Sequence, residues 1–313
     1  MIAAVLVLAR TVHIGSAMLL VALPLFMLVI LQPGLGAERG EGYSVFCRKI
    51  IKGLWLAFIL EALSGLVWLW FVAAQMSDQS PWRILDSADL NAVLWQTQFG
   101  QLWLARAAIG VLLGVVLYFV SRRKSQPRPV IYPSNWLALA VSSILLATLA
   151  WAGHAVAGIH YHILHLVADI LHLLLSSIWP IGLIPLGWFL WDANQRNQVL
   201  LEDSEIGTLK RFSQFSLIAV LLLLITGFIN GWLMIGSWTA LFTTTYGQLL
   251  LIKVLAVMVM IGLGAYNRIY LLPRIQEGRS FLLSLRRTVL GESFLAMAVV
   301  LIVGIMGTTS PPF

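Results

Sequence analysis

Along this chain the polar positions gather into short clusters, separated by apolar runs longer than a soluble core helix requires. The runs fall near residues 3–31, 51–75, 98–120, 136–155, 161–190, 213–235, 247–271 and 288–308. The hydrocarbon layer of a bilayer takes about 20 residues of α-helix at 1.5 Å rise per residue, and every run reaches that length. An open strand in lipid leaves its backbone N–H and C=O groups without partners, and the runs lack the alternation of an outer-membrane barrel. The expected fold is therefore all-α: a polytopic membrane helix bundle of eight transmembrane helices, forming a single transmembrane domain over residues 1–313. The first run starts at Met1 without a basic leader and carries Arg10 and His13 inside it, so it reads as a retained span.

Composition agrees with lipid as the solvent. The 313 residues are 60% hydrophobic and 11% charged, whereas soluble domains run near about 45–50% apolar and about 25% charged. The single cysteine, Cys47, excludes a disulfide within the chain and any Cys-rich zinc or iron–sulfur site. The formal net charge of +7 does not point to nucleic acid, because the basic residues lie in loops beside the spans and so face the lipid bilayer's edge. Arg39, Arg48, Lys49 and Lys52 follow the first run; Arg122, Arg123, Lys124 and Arg128 follow the third; Arg196, Lys210 and Arg211 follow the fifth. Arg268, Arg274, Arg279, Arg286 and Arg287 surround the loop after the seventh, while the alternate loops hold Arg83 alone. The positive-inside rule then predicts a bacterial inner-membrane protein with both termini periplasmic.

On that topology the six histidines lie in the periplasmic half or near the midplane. His154 closes the fourth run, His160 and His162 sit in the following turn, and His165 and His172 continue into the fifth run. At 100° per residue, His162, His165, Asp169 and His172 share roughly an 80° arc of one helix. Ionisable groups in lipid cost about 2.5–3.5 kcal/mol each, so this stripe is expected to face the bundle interior or a wet cavity. Imidazole suits copper, zinc, nickel and haem iron, and Asp169 is placed to orient a ligating ring. His13, roughly 15 Å into the first span at 1.5 Å per residue, reaches a depth similar to His172, and Glu61 approaches the same level from the opposite side. All six histidines are candidate metal ligands, with Asp169 and Glu61 as supporting or ion-path groups. The alternative for Glu61 is a pair with Arg10 or Arg106.

Thioethers suit Cu(I), which makes Met18, Met234 and Met306 further, weaker candidates. Arg10, Arg106, Lys253, Arg268 and Glu292 read as structural charges, with carboxylate or carbonyl partners expected for Arg106 and Lys253 and a Glu292–Arg268 ion pair near the cytoplasmic end. No phosphate-binding loop, metalloprotease motif, nucleophile elbow or dinucleotide fingerprint is present, so the chain is not expected to be an enzyme. From the residues alone, a bis-histidine haem b protein, with His13 opposite His172 or His165, is the rival to an ion-handling protein, and a copper-delivery or assembly factor without flux is the third reading.

A set of motifs in fixed order narrows the choice. These are Arg10-x-x-His13, Gly153-His154-Ala155, Asp169-x-x-His172 followed by Trp179, Arg211-Phe212-Ser213 and Thr226-Gly227-x-x-Asn230. They continue with Thr245-Tyr246-Gly247 and Lys253, Asn267-Arg268, Glu292 and Ser310-Pro311-Pro312. In this order the chain resembles the CopD/PcoD family of bacterial copper-resistance membrane proteins over most of its length. The resemblance implies periplasmic copper handling, with copper ion as the cargo, import across the inner membrane, and a periplasmic copper-binding protein of the CopC type as donor. One departure from the family pattern is Pro180-Ile181-Gly182, where a glycine pair commonly follows the Trp.

Overall fold

The computed structural model describes residues 2–35, 41–84, 88–122, 133–152, 162–195 and 201–312, with side chains excepted at 41–44, 133, 162 and 194. No strand occurs among them. Eight helices are long and apolar enough to cross a membrane: α1 (Ile2–Leu35), α2 (Val45–Met76), α3 (Gln98–Arg122), α4 (Ser134–Ala152), α5 (Ile163–Ala193), α6 (Asp203–Ile235), α7 (Thr245–Arg274) and α8 (Arg279–Met306). Several overrun the apolar runs at their basic ends: α6 starts ten residues before 213 and α8 nine before 288. Polar residues are good helix formers once outside the lipid, so hydrophobicity marks the membrane and not the helix end.

Helix α1 is the central pillar. Its most apolar stretch is 83% buried by the protein, against 6% for α7 at the periphery. It packs against α2, α4, α5 and α8, while its far end meets α6. Pro24 removes a donor from the α1 ladder, and a π-helical turn follows at Phe26–Leu31. There Val29 offers its carbonyl to the guanidinium of Arg211 on α6 at 2.5 Å. Near the opposite end, Gly304 of α8 faces Thr11 and Gly307 faces the Arg10 guanidinium, so close that a Cβ would stand 2.1 Å from either. Both chain termini therefore lie at one end of the bundle.

The fifth predicted run is one span but two helical segments, His162–Ile178 and Leu183–Gln195. Pro180 has no N–H for the Ser176 carbonyl, which accepts instead from Ile181 at 3.1 Å. The resulting turn drives Gly182 against the Ile178 carbonyl, where a Cβ would sit at 2.1 Å. The departure from the family pattern thus has a local geometry that requires this glycine. We expect Gly182→Ala to lower the melting temperature of the purified protein, the overpacking costing about 1–3 kcal/mol. Gly262→Ala on α7, where a Cβ meets nothing within 4 Å, should leave it unchanged.

Candidate metal centre

The sequence-predicted residues separate into three clusters. The first is closed and dry. His13 on α1 is 0% exposed. Its Nδ1 lies 2.9 Å from the Glu61 backbone carbonyl on α2, and its Nε2 lies 2.7 Å from the Arg106 guanidinium on α3. A carbonyl only accepts and a guanidinium only donates, so the two bonds fix a neutral ring with its proton on Nδ1. Arg106 also donates to Glu61 Oε1 at 3.0 Å, to the Leu145 carbonyl at 2.8 Å and to Thr148 Oγ1 at 2.5 Å. Trp68 and Trp103 pack their rings 5.4 and 5.2 Å from the imidazole. Gly65 lets α2 come this close, since a Cβ there would stand 2.9 Å from both His13 and Trp103.

The second cluster surrounds a cavity of about 200 Å³ at the end of the bundle that holds the termini. Helix α5 contributes His165, Asp169 and His172, three of the four residues of the predicted stripe, and these face inward. The opposite walls bring Met18 from α1, Met234 from α6 and Met306 from α8 onto the same cavity, together with Arg10, Asn230, Tyr246 and Lys253. All three methionines are buried. His172 Nδ1 is 3.0 Å from Thr226 Oγ1. The Thr226 hydroxyl has an acceptor on its own helix, the Leu222 carbonyl at 2.9 Å. With that bond made, Thr226 accepts from His172 Nδ1, the tautomer that leaves the Nε2 lone pair for a ligand. Gly227 makes room for this ring, a Cβ there falling 3.2 Å from Cε1. Asn230 holds Asp169 at 3.4 Å. Among the described residues no three His, Cys, Asp or Glu side chains cluster as a ready metal cage, so thioethers would have to complete any soft-metal site here.

The third cluster lies toward the other end. Asn267, in a π-helical turn at Asn267–Leu271, donates to Glu292 at 2.5 Å and accepts from Thr288 at 2.5 Å. Arg268 is turned away and donates to the carbonyl and hydroxyl of Ser213, both at 2.8 Å. This corrects the expected Glu292–Arg268 pair: neighbours in sequence on a helix point about 100° apart, and the amide rather than the guanidinium faces α8. Two further cavities line the α5–α6–α7 seam between the second and third clusters. One, of about 440 Å³, shares His172, Gly227 and Lys253 with the methionine-lined cavity. The next, of about 360 Å³, shares Trp179, Val220 and Ile261 with it and ends at Glu292.

The predicted pairing of Arg106 with a carboxylate or carbonyl is found with both kinds of partner. Glu61 joins His13 as expected, but His172 does not join them. This geometry gives no support to a haem held between His13 and His172 or His165: both His13 nitrogens are engaged in the separate network. Arg10 pairs with neither Glu61 nor any other acid among the described residues; it stacks over Trp68 at 4.5 Å. His154, His160 and the His162 side chain lie outside the described residues. Sequence reasoning missed Tyr246, Asn230 and Thr226 as supports of the cavity, although each lay in a motif that carried the family resemblance.

Residues 1–162 match the family model described as "Copper resistance protein D-like, N-terminal domain", and residues 206–306 match that described as "Copper resistance protein D". The chain belongs to the copper resistance protein D family. A copper resistance protein D of Pseudomonas syringae pv. tomato is 29% identical over 307 residues, covering 94% of this chain and 93% of that protein. The copper transport protein CutJ of Bacillus subtilis (strain 168) is 32% identical over 228 residues, 71% of this chain and 39% of that protein. The inner membrane protein YebZ of Escherichia coli (strain K12) is 30% identical over 198 residues, 63% of each. No solved structure matches the chain. With its eight membrane-crossing helices, this member of a copper-resistance family is a multi-pass inner-membrane protein. The matched N-terminal region contains the whole His13–Glu61–Arg106 network, and the C-terminal region supplies the α6, α7 and α8 walls of the cavities.

Removing one member of a buried charge pair strands the other, at about 3–5 kcal/mol. Glu61→Ala should therefore lower the melting temperature in detergent far more than Glu61→Gln, which keeps an acceptor for Arg106. Thermal unfolding followed by tryptophan fluorescence checks this, with Trp68 and Trp103 as internal reporters.

Proposed function

We propose that this protein takes copper ions as cargo from the periplasmic side, binds them in the methionine-lined cavity and passes them toward the cytoplasm. The observation that carries the reading is His172. Its Nδ1 is held by Thr226 and its Nε2 lone pair is left to a cavity that also holds three buried thioethers, His165 and Asp169. Imidazole with thioether is a soft donor set, which favours Cu(I). The hydrogen-bonded second nitrogen is what a metal-binding histidine ordinarily has. His13, with both nitrogens engaged, is in this reading a strut that fixes α1 against α2 and α3, and not a ligand.

Direction rests on charge. The basic loops follow the odd-numbered helices, which puts the end holding both termini and the cavity on the periplasmic side. His154, His160 and His162 precede α5 at that end and serve as capture groups in this reading. A periplasmic copper-binding protein of the CopC type is the proposed donor. The adjoining cavities along the α5–α6–α7 seam supply the inward route, past Trp179 to Glu292. The relatives named for copper resistance and copper transport support the same cargo, and the protein is read as a carrier, not a catalyst.

Metal analysis of purified protein after Cu(I) loading tests the proposal. Wild type should retain copper with no Soret band, and His172→Ala should lose it. Wild-type stoichiometry in His172→Ala, or a haem spectrum, would overturn the reading. Thr226→Val removes the acceptor that orients His172 while keeping the side-chain shape. Copper affinity should then fall about 10–100-fold in a competition titration with a Cu(I) chelator.

A further inference from the structure

Glu292 lies at the far end of the seam from the copper cavity and is 1% exposed. Its Oε1 accepts one N–H, from Asn267, and no ion pair reaches it among the described residues. Of the groups lining the adjoining cavity of about 360 Å³, Arg268 of α7 is the other charged side chain, and its Nη1 is committed to Ser213 on α6. Helix α5 presents only apolar chains, and α6 adds the hydroxyls of Ser213 and Ser216. The Ser216 hydroxyl is buried without a hydrogen-bond partner. Across from Oε2 stands Gly264, where a Cβ would be in ordinary contact at 3.5 Å, and the carboxyl itself lines the cavity.

An ionised carboxylate removed from water with one amide N–H for compensation is strongly disfavoured. A carboxyl so placed is stable as the neutral acid or with a bound cation. The cavity offers neither imidazole nor sulfur, so a soft copper ion has no ligand set there. Hard metal ions typically take about six oxygens, more than Glu292, Asn267, Ser213 and Ser216 provide. A proton needs one.

We propose that Glu292 is a proton-binding site at the cytoplasmic end of the seam, neutral when occupied and releasing its proton through the cavity beside it. The cytoplasmic placement, and the use below, rest on the import reading. As Cu(I) moves along the seam, loss of this proton to the cytoplasm keeps the buried charge constant, one positive charge entering as one leaves.

Dicyclohexylcarbodiimide adds a protonated carboxyl across its C=N bond, the acid proton going to nitrogen, and so tags neutral carboxyls in apolar surroundings. The full-length, copper-free protein in detergent should be tagged at Glu292 at neutral pH, as read by peptide mass spectrometry. Tagging should fall several-fold at alkaline pH and vanish in Glu292→Gln. An untagged Glu292 in monodisperse wild type, tagging indifferent to alkaline pH, or suppression by sodium or potassium ions would each overturn the proposal. Copper takes no part in this measurement, so failure of the copper reading would register separately, in the metal content of the loaded protein.

Discussion

Water is absent from the middle of a membrane, and that absence organises this molecule. A polar side chain there must be answered by another protein group, because no solvent will do it. Polar side chains inside the spans are answered by groups on neighbouring helices. Arg106 is met by Glu61, Leu145 and Thr148, and Arg211 by Val29 at a π-turn. Asn230 meets Asp169, and Asn267 meets Glu292. Each bond ties two helices whose apolar faces alone would slide, since lipid is as apolar as leucine and supplies no hydrophobic force between them.

Against that background, a functional group is one left incompletely answered. His13 and His172 make the contrast. Both are histidines within membrane-crossing helices, both have a facing glycine that clears space for the ring, and both have one nitrogen fixed by a neighbour. In His13 the second nitrogen is also taken, by Arg106. In His172 it is not, and the ring stands in the wall of two adjoining cavities. In the proposed reading, the difference between a strut and a ligand is one lone pair. Glu292 belongs with His172 in this respect, a carboxyl with one hydrogen bond in the lining of a cavity.

The eight spans were legible because bilayer thickness sets a minimum apolar length that no soluble element imitates. The inward turn of His165, Asp169 and His172 was legible for a similar reason: a 4-3 spacing puts them on one face wherever that helix packs. Which helices are neighbours was not legible. Met18, Met234 and Met306 sit on α1, α6 and α8, with no spacing between them to read, and they converge only because α1 stands at the centre. Whether Asn267 or the adjacent Arg268 faces α8 depends on how α7 is rotated against its neighbours, and hydrophobic pattern carries no such signal. The break in α5 was marked by Pro180, but its geometry depended on where the freed Ser176 carbonyl found a donor.

The central claim is that imidazole and thioether meet at one copper ion in the cavity between α1, α5, α6 and α8. X-ray absorption at the copper edge of the Cu(I)-loaded protein addresses it most directly. The account predicts a first shell of mixed nitrogen and sulfur scatterers, with the sulfur component diminished when Met18, Met234 and Met306 are replaced by leucine. A shell of nitrogen and oxygen alone in the wild type, unchanged by those replacements, would contradict it.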